Sequence, residues 1–385
     1  MPIQRAKPRF TEVKNVSNIT ANQLDIGQIG GRRNIAYNGA MNIAQRGTSR
    51  TGVTNGANQG YQTVDRITTA GNSNGVFTMT QTADGPDGFA NCLKLDCTTA
   101  DTSIAASEYF LIEQKLEGQD LQQLNYNQSS AKTSTISFYV KGNASAQYTF
   151  ALQYHLSGGT ARWFTKGFAV TTDWTRVVIT IPGDTQASSG SDYGIADDTA
   201  TGANLMIWFH GGTNFSSGTH QDTAWADRDY TKLFQDNQTS FSDSTDRTFF
   251  ITGLQMEVGS QATPFEHRSF GEELFLCQRY FRDLCSGING SVLSLVTHYA
   301  STNAVGTFVL SPEMRTTPTA IAVSSASHFT TYSAAAARVC SALQTDSFAP
   351  NIARMTATIS SITAGYSGWI QPNTTSATMH ITAEL

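Results

Sequence analysis

Short runs of alternating apolar and polar residues recur along most of the chain. Ile136, Phe138 and Val140 alternate with Ser137, Tyr139 and Lys141. Leu93, Leu95 and Cys97 alternate with Lys94 and Asp96. Tyr148, Phe150, Leu152 and Tyr154 share one parity, as do Val177, Ile179 and Ile181, and Leu205, Ile207 and Phe209. A period of two puts successive side chains on opposite faces of a strand, so each run predicts a strand with one buried face. Residues 76–82 and 109–112 add two compact β-rich runs. The alternation of Leu254, Met256 and Val258 with Gly253, Gln255 and Glu257 predicts a closing strand. After Gly259 and Pro264 the period changes: Phe270, Leu274, Cys277, Phe281 and Leu284 recur at steps of four and three, the spacing of one helix face. Ser269 and Glu272 form a capping box at its start.

These runs predict an all-β chain. About ten strands between 34 and 268, separated by turn residues, are the number expected of a jelly-roll β-sandwich. A short linking helix over 269–284 follows. Residues 285–385 read as a C-terminal antiparallel β-sandwich, with strands over 292–299, 304–310, 319–323, 352–362, 368–371 and 377–383. The run 334–337 fits either a short helix or a strand of small residues. Residues 1–33 have no sustained period and read as an extended arm. The loops 183–203 and 211–247 are long for a compact sandwich, which marks them as functional or assembly segments.

Charged residues make up only 14% of the 385, so the polar faces depend on Thr, Ser, Asn and Gln, as befits exposed sheet rather than helix. A net charge of −5 gives no reason to expect nucleic acid as a partner. The charge is uneven, however. The first fifty residues hold Arg5, Lys7, Arg9, Lys14, Arg32, Arg33, Arg46 and Arg50 against Glu12 and Asp25. A basic arm of this kind docks on an acidic surface or stays a solvated tail. No run of 18 apolar residues exists, so no membrane span is expected, and the first residues lack the apolar core of a secretory signal. Five cysteines without Cys-x-x-Cys or His-rich spacing read as free thiols of a chain made in a cytoplasm. The second β domain is poor in large apolar groups, so association into a homo-oligomer is expected.

The segment Ile251-Thr-Gly-Leu-Gln-Met-Glu-Val-Gly-Ser-Gln-Ala-Thr-Pro-Phe-Glu, followed by Gly271-Glu-Glu-Leu and Cys277-Gln-Arg-Tyr-Phe, closely resembles a junction in bacteriophage tail-fibre and related virion fibre proteins. There it joins a carbohydrate-binding-module-like jelly roll to a C-terminal β domain. Asn34-Ile-Ala-Tyr-Asn-Gly-Ala-Met resembles the first strand of that module. The resemblance covers roughly residues 34 to 320. It implies a virion protein made in the host cytoplasm, a homotrimer, attachment to the phage tail or other virion proteins through residues 1–33 (Arg5, Lys7, Arg9 and Lys14 being the anchoring candidates), and host surface polysaccharide as the target. A capsid-surface fibre or tail adaptor with a purely structural role has the same features.

Sugar binding uses exposed ring faces beside amides and carboxylates. The candidates are Trp208 and His210 on the outward side of their strand, Trp225, Asp227 and Tyr230 in the loop that follows, and Trp163. Packing of these rings under loops or between subunits is the competing reading. Asp84 and Asp87, in Asp84-Gly-Pro-Asp-Gly, are candidate ligands for a structural calcium, against a plain solvated turn. Asp222, Asp227, Asp229 and Asp236 lie close enough in sequence to keep polysaccharide cleavage open as an alternative, although nothing marks one as buried. No Gly-x-Ser-x-Gly, Walker or His-Glu-x-x-His motif occurs, and the chain is expected to bind without catalysis.

Overall fold

The computed structural model describes residues 32–54, 59–159, 161–185, 194–219, 222–235, 238–318, 320–334 and 336–385. The anchoring candidates Arg5, Lys7, Arg9 and Lys14 lie outside the described residues. Among the described residues, thirteen strands precede residue 259: β1 (Ser49–Val53), β2 (Gly60–Tyr61), β3 (Thr68–Asn72), β4 (Val76–Thr82), β5 (Cys92–Thr99), β6 (Tyr109–Glu117), β7 (Ser134–Gly142), β8 (Ala146–His155), β9 (Ala161–Val170), β10 (Thr175–Ile181), β11 (Thr201–Gly211), β12 (Ala226–Asp227) and β13 (Thr248–Val258). They form two sheets, ordered β1-β4-β5-β13-β7-β10 and β12-β9-β8-β11-β6-β3-β2, with antiparallel neighbours. The alternating residues do what their period requires. Phe138, Val140, Tyr148, Phe150, Leu152, Tyr154, Leu205, Ile207 and Phe209 all enter the one core between the sheets.

The junction residues form a polar knot. The Glu266 carboxylate accepts from the backbone N–H groups of Arg33 (3.1 Å) and Asn34 (2.7 Å). Asn34 Oδ1 accepts from Met256 N, and Asn34 Nδ2 donates to the Leu254 carbonyl, both at 3.0 Å. Glu273, buried on the linking helix, accepts from Asn38 N at 2.6 Å and pairs with Arg268 at 3.3 Å. Residues 34–41 are therefore a turned segment pinned to the closing strand, not the first strand that the resemblance led us to expect. Asn38 and Met41 take positive φ, and a Cβ on Gly39 would fall against the Leu254 carbonyl.

The linking helix spans only Phe270–Cys277, with Ser269 Oγ accepting from Glu272 N at 3.2 Å as the cap. Its buried face is Glu273 and Cys277, while Phe270 is exposed. Phe281 and Leu284, expected on the helix, belong to β14 (Phe281–Ser286). Eight further strands follow: β15 (Ser294–Ala300), β16 (Asn303–Val309), β17 (Ile321–Val323), β18 (Phe329–Ser333), β19 (Ala337–Ala349), β20 (Ile352–Ile359), β21 (Ser367–Pro372) and β22 (Thr378–Thr382). The all-β antiparallel class holds throughout. In this half, β15-β16-β20-β19-β18-β21 close into a barrel instead of stacking as two sheets, and β14-β22-β17 form a small sheet beside it. Small side chains suit a narrow barrel: Ala304, Ala353 and Ala357 are among its core residues. All five cysteines are free and buried.

Candidate functional site

The outward face of the seven-stranded sheet is roofed. Alternation along β11 does turn Met206 and Trp208 away from the main core. The segment that follows then folds back over them, with Leu233 N and Phe234 N donating to the Phe215 carbonyl at 3.0 Å. Trp163, Trp208, Met206, Leu111, Leu233 and Phe234 make a second dry cluster under this roof, leaving Trp208 3% exposed. The expectation of an exposed Trp208 ring is thereby corrected: its face packs near Tyr109 and Phe215.

His210 is corrected likewise. It is 1% exposed, its Nδ1 lies 3.0 Å from Ser242 Oγ, and burial pushes its pKa down to about 4. A histidine held neutral in the fold binds protons less readily than in the unfolded chain. Its contribution is present above the unfolded pKa near 6.5 and is lost as pH falls toward 4. On this account His210→Gln flattens the stability profile over that window. The wild type loses up to about 3 kcal/mol there from this group alone, read by urea unfolding at stepped pH.

Trp225 plugs the sandwich end. Its ring lies 5.2 Å from Tyr126 and 5.0 Å from Tyr154, and its Nε1 donates to the Pro182 carbonyl at 2.6 Å. Trp163 and Asp227 do come together, because β12 pairs Ala226 with Trp163 and Asp227 with Arg162. They line a water-sized pit of about 20 Å³ with Thr165, Asp229 and Lys232. Tyr230 stands nearby in sequence, 53% exposed, with the Arg228 guanidinium 4.8 Å from its ring centre.

The carboxylates of this region each face a cation: Asp227 with Arg162 at 2.6 Å, Asp222 with Lys166 at 2.7 Å, and Asp229 with Lys232 at 3.0 Å. Hydrogen bonds from the Thr231 side chain and from Lys232 hold the Asp229 carboxyl below the usual range, opposite to what a general acid requires. Asp236 lies outside the described residues. Asp84, with Asp87 the calcium candidate, is paired with a cation in the fold. Its carboxylate accepts from Lys141 Nζ at 2.7 Å, and among the described residues no group of three or more His, Cys, Asp or Glu is placed to hold a metal with Asp84 and Asp87.

The outward face of the six-stranded sheet carries a strip of half-buried rings and cations. Register puts Lys94, Phe250 and Lys141 in one row across β5, β13 and β7. Lys141 Nζ lies 4.8 Å from the Phe250 ring centre and 5.2 Å from that of Trp174. Trp174 meets Phe250 edge-on at 6.3 Å. Beside this row stands Tyr139, with Phe89 at 5.3 Å and Phe265 a further 5.0 Å beyond Phe89. A bulge makes room for these rings. The β13–β7 register breaks between Thr252 and Gln255, and Gly253 has φ of 68°, where a Cβ would lie 2.9 Å from both Phe89 and Tyr139. Alternation along the sequence places Tyr139, Lys94 and Lys141 on outward faces, but not the other rings of the strip. The signal for Phe250 was there in its alternation with Phe249 and Ile251. Two neighbouring phenylalanines hide it, because both read as core.

The sequence matches no protein-family profile and no curated protein. Among solved structures, the enzymatically active domain of tailspike protein 4 of bacteriophage CBA120 overlaps at a TM-score of 0.31 and 10% identity, covering 58% of this chain and 21% of that one. The chain thus spans about a fifth of the tailspike's length. The family 11 carbohydrate-binding module of a Clostridium thermocellum cellulosomal cellulase overlaps at a TM-score of 0.27 and 11% identity, covering 55% of this chain and 95% of that one. The C-terminal family 22 module of a Clostridium thermocellum xylanase overlaps at 0.28 and 13%, covering 57% and 98%.

Proposed function

We propose that this chain is a fibre subunit of a bacteriophage tail that binds host surface glycan without cleaving it. On this reading the binding face is the outward side of the six-stranded sheet. The observation that carries the proposal is the strip from Trp174 through Phe250 and Tyr139 to Phe89: half-buried rings interleaved with Lys94 and Lys141. Sugar C–H faces stack on such rings, and the ammonium groups donate to hydroxyls and carboxylates along a chain of sugar residues. The phage-fibre assignment rests on the likeness of residues 251–266 to the fibre junction, which a capsid-surface fibre or tail adaptor shares; location on the tail and anchoring through residues 1–33 belong to the same proposal. The cation-paired carboxylates at 222, 227 and 229 favour binding over hydrolysis.

Isolated full-length protein is expected to bind the envelope polysaccharide of its host in a direct titration and to release no reducing ends. Failure to bind overturns the adhesin reading in favour of a spacer, and release of reducing ends overturns the non-catalytic one.

The barrel supplies a face for a second copy of the chain, the oligomer being part of the same proposal. Leu295 is 76% exposed and pairs across the strands with Trp369, which in turn stacks on Tyr332 at 5.6 Å. Val309, 78% exposed, adds to the barrel's outer apolar surface. Replacing Leu295 and Val309 together by glutamate is expected to reduce the mass in light scattering to that of one chain. An unchanged oligomer would place the contact elsewhere.

A further inference from the structure

A third cation borders the ring strip, and it differs from the first two. Lys94 Nζ lies 3.1 Å from the Asp96 carboxylate and Lys141 Nζ 2.7 Å from that of Asp84, so both charges are offset. Arg176, on β10, meets the strip from the edge of the sheet. Register pairs Arg176 with Tyr139 and Thr175 with Val140, which brings Trp174 to the level of Lys141 and Phe250. The Arg176 guanidinium lies 5.9 Å from the Tyr139 ring centre. Among the described residues its hydrogen-bond acceptors are Ser137 Oγ at 3.0 Å and the Thr263 carbonyl, both uncharged. We propose that Arg176 makes the strip selective for acidic polysaccharide, taking the carboxylate of a uronic acid residue stacked on Tyr139.

Three observations carry the assignment. The first is a fixed orientation. Both acceptors take the same nitrogen, Nη2. Ser137 is buried, and Thr263 is itself pinned, its N and Oγ1 donating to Glu257 at 2.9 Å and 2.7 Å. A guanidinium held in place before the ligand arrives gives up little conformational freedom on binding. The second is spare donors. Nη1 and Nε have no acceptor among the described residues, and neither atom is sealed from solvent. The third is charge. Among the described residues no carboxylate lies within ion-pairing distance of Arg176. Glu257, behind Thr263, is buried and spends its oxygens on Thr263 and Gln255. A half-buried cation without a counter-ion gains more from an incoming anion than one already paired. Bare phosphate would engage the guanidinium alone. A sugar acid engages the guanidinium through its carboxylate and the Tyr139 ring through its C–H face.

The inference rests on the glycan-binding reading of the strip, and the test tells their failures apart. Full-length protein is titrated with the host envelope polysaccharide, and with the same polysaccharide after its carboxyls have been reduced to alcohols. The native form is expected to bind about tenfold more tightly than the reduced form, a difference of about 1.4 kcal/mol. Arg176→Gln is expected to bind both forms alike, with the affinity that the wild type shows for the reduced one. Arg176→Met keeps an apolar stem against Tyr139 without the charge, and the same result is expected of it. Melting temperatures establish that each variant is folded, and Arg176→Met decides the matter if Arg176→Gln is not. A wild type that binds both forms equally overturns the proposal and leaves glycan binding by the strip standing. So do variants that weaken both forms by the same factor, which is what a residue that only props the 259–264 segment would give. Binding of neither form by the wild type overturns the glycan-binding reading itself, and this proposal with it.

Discussion

Replacing Glu384 by alanine is expected to destabilise the folded chain by about 3–5 kcal/mol, the cost of stripping a buried cation of its counter-charge. Arg66 is 0% exposed, and its guanidinium forms an ion pair with Glu384. Beside it stand the Tyr280 ring, 3.5 Å from its carbon centre, and the Lys115 carbonyl at 2.6 Å. Neither of these carries a compensating negative charge. Arg46 loses the same partner, although Asp65 remains 3.7 Å away. The backbone around Glu384 is tied down as well: Arg315 donates to the carbonyls of Ala383, Glu384 and Thr199. The segment just after β22 is thereby latched across both halves of the chain, and urea unfolding is expected to report the loss as a lower midpoint. A companion variant, Arg66→Met with Glu384→Leu, removes both charges and is expected to recover most of the stability, because a matched apolar pair carries no desolvation cost. A loss below about 1 kcal/mol in Glu384→Ala would mean that water reaches Arg66 and that the latch is open in solution.

The sandwich was legible because strands such as β7 and β8 send every second residue, Ile136, Phe138 and Val140 or Tyr148, Phe150 and Leu152, into the core between the sheets, and a period of two survives in the sequence without reference to any partner. What could not be read depends on distant segments. Trp208 does point away from the main core, as its alternation says, yet whether that side meets water is decided by Phe215, Leu233 and Phe234, which arrive later in the chain. The helix over Phe270–Leu284 fails for the same reason. Phe281 and Leu284 keep a helical spacing with Cys277, but β22, about a hundred residues on, offers Phe281 and Arg282 backbone partners in Thr382 and Ile381. Tertiary pairing overrides local period there. In the barrel, β18 and β19 are rich in Ser, Thr and Ala and leave little alternation to see. The junction was recognisable as a motif. The structure adds its physical role, since Glu266, Glu273 and Gln255 hold the entry segment and the closing strand together.

Host adsorption by particles carrying Phe250→Ala together with Trp174→Ala is expected to fall by far more than the affinity of the isolated protein. Each ring is worth about 1 kcal/mol of stacking, so the pair should cost about 2 kcal/mol, near a thirtyfold rise in Kd for one site. A fibre that engages several sites at once multiplies such losses, because each linked contact contributes its own factor through the effective concentration. Trp208→Ala is the control that separates surface from core. With Trp208 buried among Tyr109, Phe215 and its other neighbours, its removal is expected to lower stability by about 3–5 kcal/mol while surviving folded protein binds polysaccharide with unchanged Kd. The opposite pattern, with adsorption lost in Trp208→Ala and kept in the strip variant, would mean that the roof over the seven-stranded sheet opens and that the glycan enters beneath it. The two outcomes differ in which measurement moves, unfolding midpoint or Kd, so one pair of variants read by both decides which sheet faces the host.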